Sequence, residues 1–254
     1  MINWVGTYVL FEKEVWRFLK VSIQTILAPV VTVLLYLLVF SSVISSRVEV
    51  YEGVTYTAFL IPGLIIMSII QNAFANTSSS VFQSKINGSI IFMLLAPLAD
   101  IEIYMAFIGA AIVRGLAVGI GVWAVSCCFN IILGYNIWIL LFFSVMGSGI
   151  LGALGLIASI WADKWDHISA FQNFVILPLS FLSGVFFSIN NLPELWSSVS
   201  HYNPFFYMID GFRYGFLGVS EVSHLQSMAV VSISFAFVSF VCLYMLHTGY
   251  KIRG

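Results

Sequence analysis

Few side chains in this 254-residue sequence are of types that do chemistry. A serine between two glycines, Gly147-Ser148-Gly149, and a histidine near the end of the last apolar run, His247, offer a nucleophile and a base. Such a pair must approach within about 2.6–3.2 Å. Ser148 falls near the middle of one apolar run and His247 at the end of another, so the sequence sets them at different depths. The four histidines, His167, His201, His224 and His247, are scattered and do not converge on one metal. Cys127 and Cys128 are adjacent and Cys242 is remote, a spacing that fits no zinc motif and reads as small buried hydrophobes. There is no GxxxxGK[ST] phosphate loop, HExxH, CxxC or EF-hand loop. Arg114 stands out, about eleven residues into an apolar run and so roughly 16 Å deep. An arginine at mid-membrane costs on the order of 2.5–3.5 kcal/mol, so it must face a partner or water. Either it lines a polar seam or subunit contact, or it is a strut bonded to carbonyls or to Gln172 and Asn173.

The elements around these residues are set by composition. Hydrophobic residues make up 61 % of the chain and charged residues 8 %; mean hydropathy is +1.03. Soluble domains average about 25 % charged residues. Ten basic and eleven acidic side chains cannot cover a soluble exterior of this size. A net charge of −1 without a basic patch gives no nucleic-acid partner. Lipid is the remaining solvent. The apolar stretches are continuous rather than alternating, which excludes a transmembrane β-barrel.

Six runs approach the roughly 20 residues needed to cross a bilayer as a helix: 22–44, 58–76, 103–128, 137–161, 170–189 and 228–247. Six crossings put both termini on one side. Lys13, Arg17, Lys20, Lys85, Lys164, Lys251 and Arg253 lie on that side, against Arg47 and Arg213 on the other. The bias predicts cytoplasmic N- and C-termini. Trp4, Trp16, Trp138, Trp161 and Trp165 near span ends fit an interfacial belt. The first run is too long for the core of a cleavable signal peptide and is expected to stay as an anchor. With no repeat or linker, residues 1–254 read as a single membrane domain.

Three segments are not simple spans. In 3–20, Trp4, Tyr8, Phe11, Val15 and Phe18 recur at helical spacing beside Glu12, Lys13, Arg17 and Lys20, which predicts an interfacial helix. The inner segment 77–102 is expected to be a loop in which an Asn-Gly-Ser break precedes a short apolar helix ending at Pro97. The outer segment 190–227 is too apolar for a free loop, yet Pro193, Pro204, Asp210 and Arg213 forbid a span. Short helices that re-enter the outer leaflet fit, if protein covers their polar groups. Pro29, Pro62 and Pro178 are candidate bend points within spans. The fold class is therefore an all-α polytopic membrane protein: six transmembrane helices, an N-terminal interfacial helix, and re-entrant outer helices between spans five and six.

The stretch from Pro178 through Ser183-Gly184, Leu192-Pro193, Trp196, Asn203-Pro204 and Tyr207 to Gly211-Phe212-Arg213 resembles the signature of ABC-2 type transporter permeases, nearest their YadH-like branch and the NodJ-like exporters. The segment ending Leu94-Leu95-Ala96-Pro97 extends the likeness, so the family domain would cover about 22–251. The resemblance implies a transport subunit rather than an enzyme, in the cell inner membrane. Two permease copies, taken as a homodimer, would pair with two ABC ATP-binding subunits, and ATP and magnesium would sit on those partners, with no cofactor on this chain. Residues 85–97, with Lys85, Gly88, Leu94, Leu95 and Pro97, would couple to the ATPase. Family members more often carry arginine and acidic residues there; here Gly88, Ile91 and Phe92 stand instead, so docking would rest on apolar packing. Six spans with Ser148 and His247 also resemble an intramembrane serine protease of the rhomboid type. That motif is Gly-x-Ser-Gly, and position 146 is Met. A passive channel or scaffold is the further alternative.

Overall fold

A computed structural model of the chain describes residues 3–43, 49–51, 54–129 and 134–251. Helix α1 (Trp4–Leu19) leads through a π-helical turn, Ile23–Leu27, into α2 (Ala28–Val43). A two-stranded antiparallel ribbon, β1 (Glu49–Tyr51) and β2 (Val54–Thr55), joins α2 to α3 (Tyr56–Ile86). Then come α4 (Ile90–Leu95), α5 (Asp100–Ser126) and α6 (Ile137–Trp161). A broken helical segment follows: α7 (Trp165–Phe171), a second π turn (Gln172–Ile176) and α8 (Leu177–Phe181). After a bend come α9 (Glu194–Tyr202), α10 (Pro204–Leu217) and α11 (His224–Thr248).

The bundle is built around α3. Of its apolar stretch, 89 % is buried, against 17 % for α2 and for α11. α3 packs along α6 and α5, α1 lies along α5, and α10 wedges among α3, α6 and α11. Close approach of α3 and α6 depends on small residues. A Cβ at Gly155 would lie 2.1 Å from Thr77 Oγ1, and that hydroxyl donates to the Gly152 carbonyl at 2.7 Å. Thr77 and Ser78 are buried in this contact. The expected inner loop therefore begins ten residues later than the sequence suggested, because α3 runs to Ile86 as one 31-residue helix. Hydropathy ends at Asn76, but the polar residues beyond it are short enough to pack against glycine.

Among the described residues, five helices are long and apolar enough to cross a membrane: Ile23–Phe40, Tyr56–Ile86, Asp100–Ser126, Ile137–Trp161 and His224–Thr248. The architecture is thus all-helical apart from the ribbon, and polytopic. The run expected at 170–189 differs. Its helical part covers 165–181, about 25 Å of rise. It stops at Leu182, and Gly184 turns with φ +75°. Both π turns end two residues before a proline, Pro29 and Pro178. Proline has no N–H to return to the carbonyl four residues back, and a π turn is one way to absorb the lost bond. Pro62, by contrast, sits inside α3 without breaking it.

Candidate functional site

The predicted site residues gather at two ends of α3. At one end, Asn87 caps α3 and Gly88 follows with φ +70°, a left-handed conformation that favours glycine. This turns the chain into α4. Ile90 is buried, and Met93 and Leu94 pack on a core that includes Leu10 and Ile103. Ile91, Phe92 and Leu95 point away, 56 %, 77 % and 76 % exposed. Pro97 ends the turn, and its carbonyl accepts from Asn3 Nδ2 at 3.3 Å. The buried Glu102 carboxylate accepts from the backbone N–H of Asn3 and, at 2.7 Å, from that of Ala99. The start of α1, the turn after α4 and the start of α5 are thereby one tied unit.

Lys85 does not project with these side chains. Its ammonium donates to the carbonyls of Ile160 (2.9 Å) and Ala162 (2.8 Å), at the end of α6. Helix C-terminal carbonyls carry partial negative charge and lack partners within the helix. Lys85 supplies them. Nearby Lys251 donates to Asp163 at 2.7 Å. That bond holds the Asp163 carboxyl below its ordinary value, and the charges of Lys251, Lys85 and His167 act in the same direction.

At the other end, the remaining signature residues form a second knot. Asn203 accepts from the Phe205 N–H, capping α10, and donates to the Leu179 carbonyl at 2.7 Å in α8. Pro204 takes the first position of α10. Arg213, 1 % exposed, donates to the Gly184 carbonyl at 2.6 Å and lies 3.7 Å from the Phe59 ring centroid. Ser183 is buried and donates to the Ser180 carbonyl. Gly211 presses on Phe143. Pro178 opens α8 and Pro193 leads into α9, where Trp196 is half exposed. Two acids that the motif did not flag complete the knot. Asp210 accepts from the N–H groups of Glu221 and Val222, and Glu221 accepts from the Ile189 N–H at 3.0 Å. The only sequence signal was Asp210 itself, an acid inside the apolar outer segment; nothing in the sequence marked Glu221.

Arg114 lies between the two ends, 9 % exposed. Its Nη2 donates to Asn72 Oδ1 in α3 at 3.3 Å, not to Gln172 or Asn173. The helix that carries Gln172 and Asn173 breaks there, and Asn173 is exposed. One helical turn from Asn72, the Asn76 side chain and carbonyl accept from Arg17 of α1 at 2.9 and 2.8 Å. Arg17 also pairs with buried Glu14 at 2.9 Å.

The protease constellation does not assemble. Ser148 is fully buried against α5, near Gly115, whereas His247 is largely exposed and pairs with Asp100 at 3.0 Å. Among the described residues, no three His, Cys, Asp or Glu side chains gather as a metal site.

Residues 6–217 match the family model described as ABC-2 type transporter. The chain belongs to the ABC-2 type transporter family. It is 37 % identical over 254 residues to the inner membrane transport permease YadH of Escherichia coli K12, covering 100 % of this chain and 99 % of that protein. Nodulation protein J of Rhizobium leguminosarum bv. viciae is 26 % identical over 223 residues, 85 % of this chain and 83 % of the relative. The corresponding protein of Rhizobium meliloti is 26 % identical over 223 residues, 85 % and 82 %. Within the matched residues, the stretch from Pro178 to Arg213 is a physical unit in which α10 is clamped onto α8 and the bend after it. The chain is a membrane transport permease.

Proposed function

We propose that this permease forms, with a second copy of itself, the pathway of an exporter in the cell inner membrane, driven by a separate ATP-binding chain that carries ATP and magnesium. Both termini and α4 face the cytoplasm in this reading, as the excess of lysine and arginine on that side supports. The broken segment 165–181 makes the sixth crossing, and α9 and α10 re-enter from the outer face. Support for the re-entry is the burial of nearly all of α10, whose 14 residues are too few to span.

The carrying observation is α4. Three large apolar side chains stand uncovered on a six-residue helix held between the ends of α3 and α5. Contact with an ATP-binding chain would bury them, at about 1.5–3 kcal/mol each. Because Lys85 is turned into the end of α6, docking rests on Ile91, Phe92 and Leu95 rather than on a charge. A motion imposed there reaches α1 through Asn3 and Glu102, and α6 through Lys85. A ligand biases such a gate only if it prefers one of two packings; closure of the ATPase on nucleotide supplies that preference.

The test is Phe92→Asp with Leu95→Asp in a membrane preparation. The expected result is a normally inserted permease that no longer retains an ATP-binding subunit through purification. Retention equal to wild type would overturn the assignment of α4.

A further inference from the structure

A cavity between α2, α3 and α8 meets both π-turn segments, through Pro29 and Leu177. On another face of α3 lies a second cavity, of about 320 Å³. The two share no lining residue. The second is walled by α5, through Leu116, Ile120 and Trp123, and by α6, through Ile137, Leu141 and Ser144. Ile65 and Ile69 of α3, both buried, form its floor, and Phe212 and Phe216 of α10 complete it.

The lining selects hydrocarbon. Apart from the Ser144 hydroxyl and the Trp123 indole N–H, every described lining side chain is pure hydrocarbon. Water does not settle in such a chamber. Left empty, its walls forfeit their dispersion contacts. No basic, acidic or amide side chain in the lining waits for a polar head.

The position of the opening decides which hydrocarbon arrives. Ile120 and Ile137 at the rim are 65 % and 60 % exposed. Both belong to helices long and apolar enough to cross a membrane, so their uncovered sides meet lipid chains. From Leu116 to Trp123 the wall rises roughly 10 Å, within the depth of one leaflet, about 15 Å. Trp123 lies near the end of α5 and Ile137 begins α6, so the cavity ends at one membrane surface. Tyr135 and Trp138, both exposed, stand at that end as interfacial aromatic residues do. A chain whose head is held at that surface enters the cavity from the side.

We propose that this cavity holds one acyl chain of a phospholipid from the leaflet on the α10 side, the outer leaflet in the reading above. The head stays at the surface beside Tyr135 and Trp138 and is not selected. The chain fills the gap between α5 and α6 and lies against Phe212 and Phe216. These side chains flank Arg213 in sequence, so the lipid supports the helix that Asn203 and Arg213 clamp. Apart from the name of the leaflet, the site does not depend on the exporter reading.

The experiment takes detergent-purified, delipidated permease and offers equal amounts of phosphatidylglycerol and phosphatidylethanolamine with the same chains. Native mass spectrometry reads the lipid retained per chain and the oligomeric mass. Wild type should retain one phospholipid per chain, the two heads within about twofold of each other. Ser144→Phe fills the cavity, and Ile120→Trp narrows its mouth from an exposed position. Each should lower retention by about tenfold, or ~1.4 kcal/mol; Ile120→Trp keeps the test decisive if Ser144→Phe fails to fold. Ile233→Trp, on the exposed side of α11, should leave retention unchanged. Added phospholipid should raise the melting temperature of wild type but not of Ser144→Phe. No retained lipid in wild type, retention unchanged in both cavity variants, or an equal loss in Ile233→Trp overturns the site. A strong preference for one head overturns recognition by the chain. Displacement of the phospholipid by an equal amount of a polyisoprenyl phosphate overturns the acyl chain as occupant. A dimer that becomes monomeric in Ile120→Trp overturns lipid in favour of a second copy of the chain. Loss of lipid in a preparation that still retains an ATP-binding subunit bears on this site alone and leaves the exporter reading standing.

Discussion

Gly211 has no room for a methyl group. A Cβ there would lie 2.0 Å from Phe143 Cζ, and Phe143 is itself wholly buried. Overpacking of this kind costs about 1–3 kcal/mol. Gly211→Ala should therefore lower the melting temperature in detergent, and Phe143→Leu in the same chain should recover much of the loss, whereas two independent defects would simply add. Arg213 is a second fixed point. Lysine in its place keeps the charge but not the planar group that reaches Gly184 and stacks over Phe59. Arg213→Lys should destabilise by about 1.5–3 kcal/mol, read as a lower urea midpoint. Asp163 offers a test by pH. Its carboxyl titrates below the ordinary 3.8, chiefly because Lys251 donates to it. A depressed carboxylate contributes stability that is complete above its unfolded value and is lost as pH falls through the folded one. The melting temperature of wild type and Asp163→Asn should thus differ by a constant amount from pH 5 to 8. The difference should close only in acid below 3.8.

The elements show where sequence reasoning reached and where it stopped. Hydropathy adds residue by residue, so the apolar centres of α3, α5, α6 and α11 were legible from composition alone. The helix α1 was legible too, but not its buried face: Trp4 and Tyr8 of the expected stripe are exposed, while Leu10 and Phe18 are buried together with Glu14. The end of α3 was not legible, because Thr77 and Ser78 look like loop until Gly152 and Gly155 are set opposite them. The direction of Lys85 depends on that same extension. The broken segment 165–181 was hidden for a different reason: a hydropathy window cannot see a backbone bond lost at Pro178. That bond gives an element-scale prediction. Pro178→Ala restores an N–H and lets the π turn Gln172–Ile176 revert to regular helix. Amide exchange across 172–178 should slow, and transport should fall if this turn is where the pathway bends. Unchanged exchange would mean that packing, not proline, sustains the turn.

At the scale of the molecule, a tied end and a clamped end are joined by α3, whose 31 residues rise about 46 Å. One end presents Ile91, Phe92 and Leu95 on α4. The other locks α10 onto α8 through Asn203 and onto the bend after α8 through Arg213. Between them a cavity lies beside two proline-associated π turns. In the proposed mechanism, force enters at α4 from a nucleotide-driven partner. The most direct measurement places a photo-crosslinking residue at Phe92 in native membranes and follows the adduct with and without ATP. One dominant adduct with an ATP-binding subunit is expected, its yield changed by nucleotide. A crosslinker at Phe92 that captures only lipid, whatever the nucleotide, would contradict it.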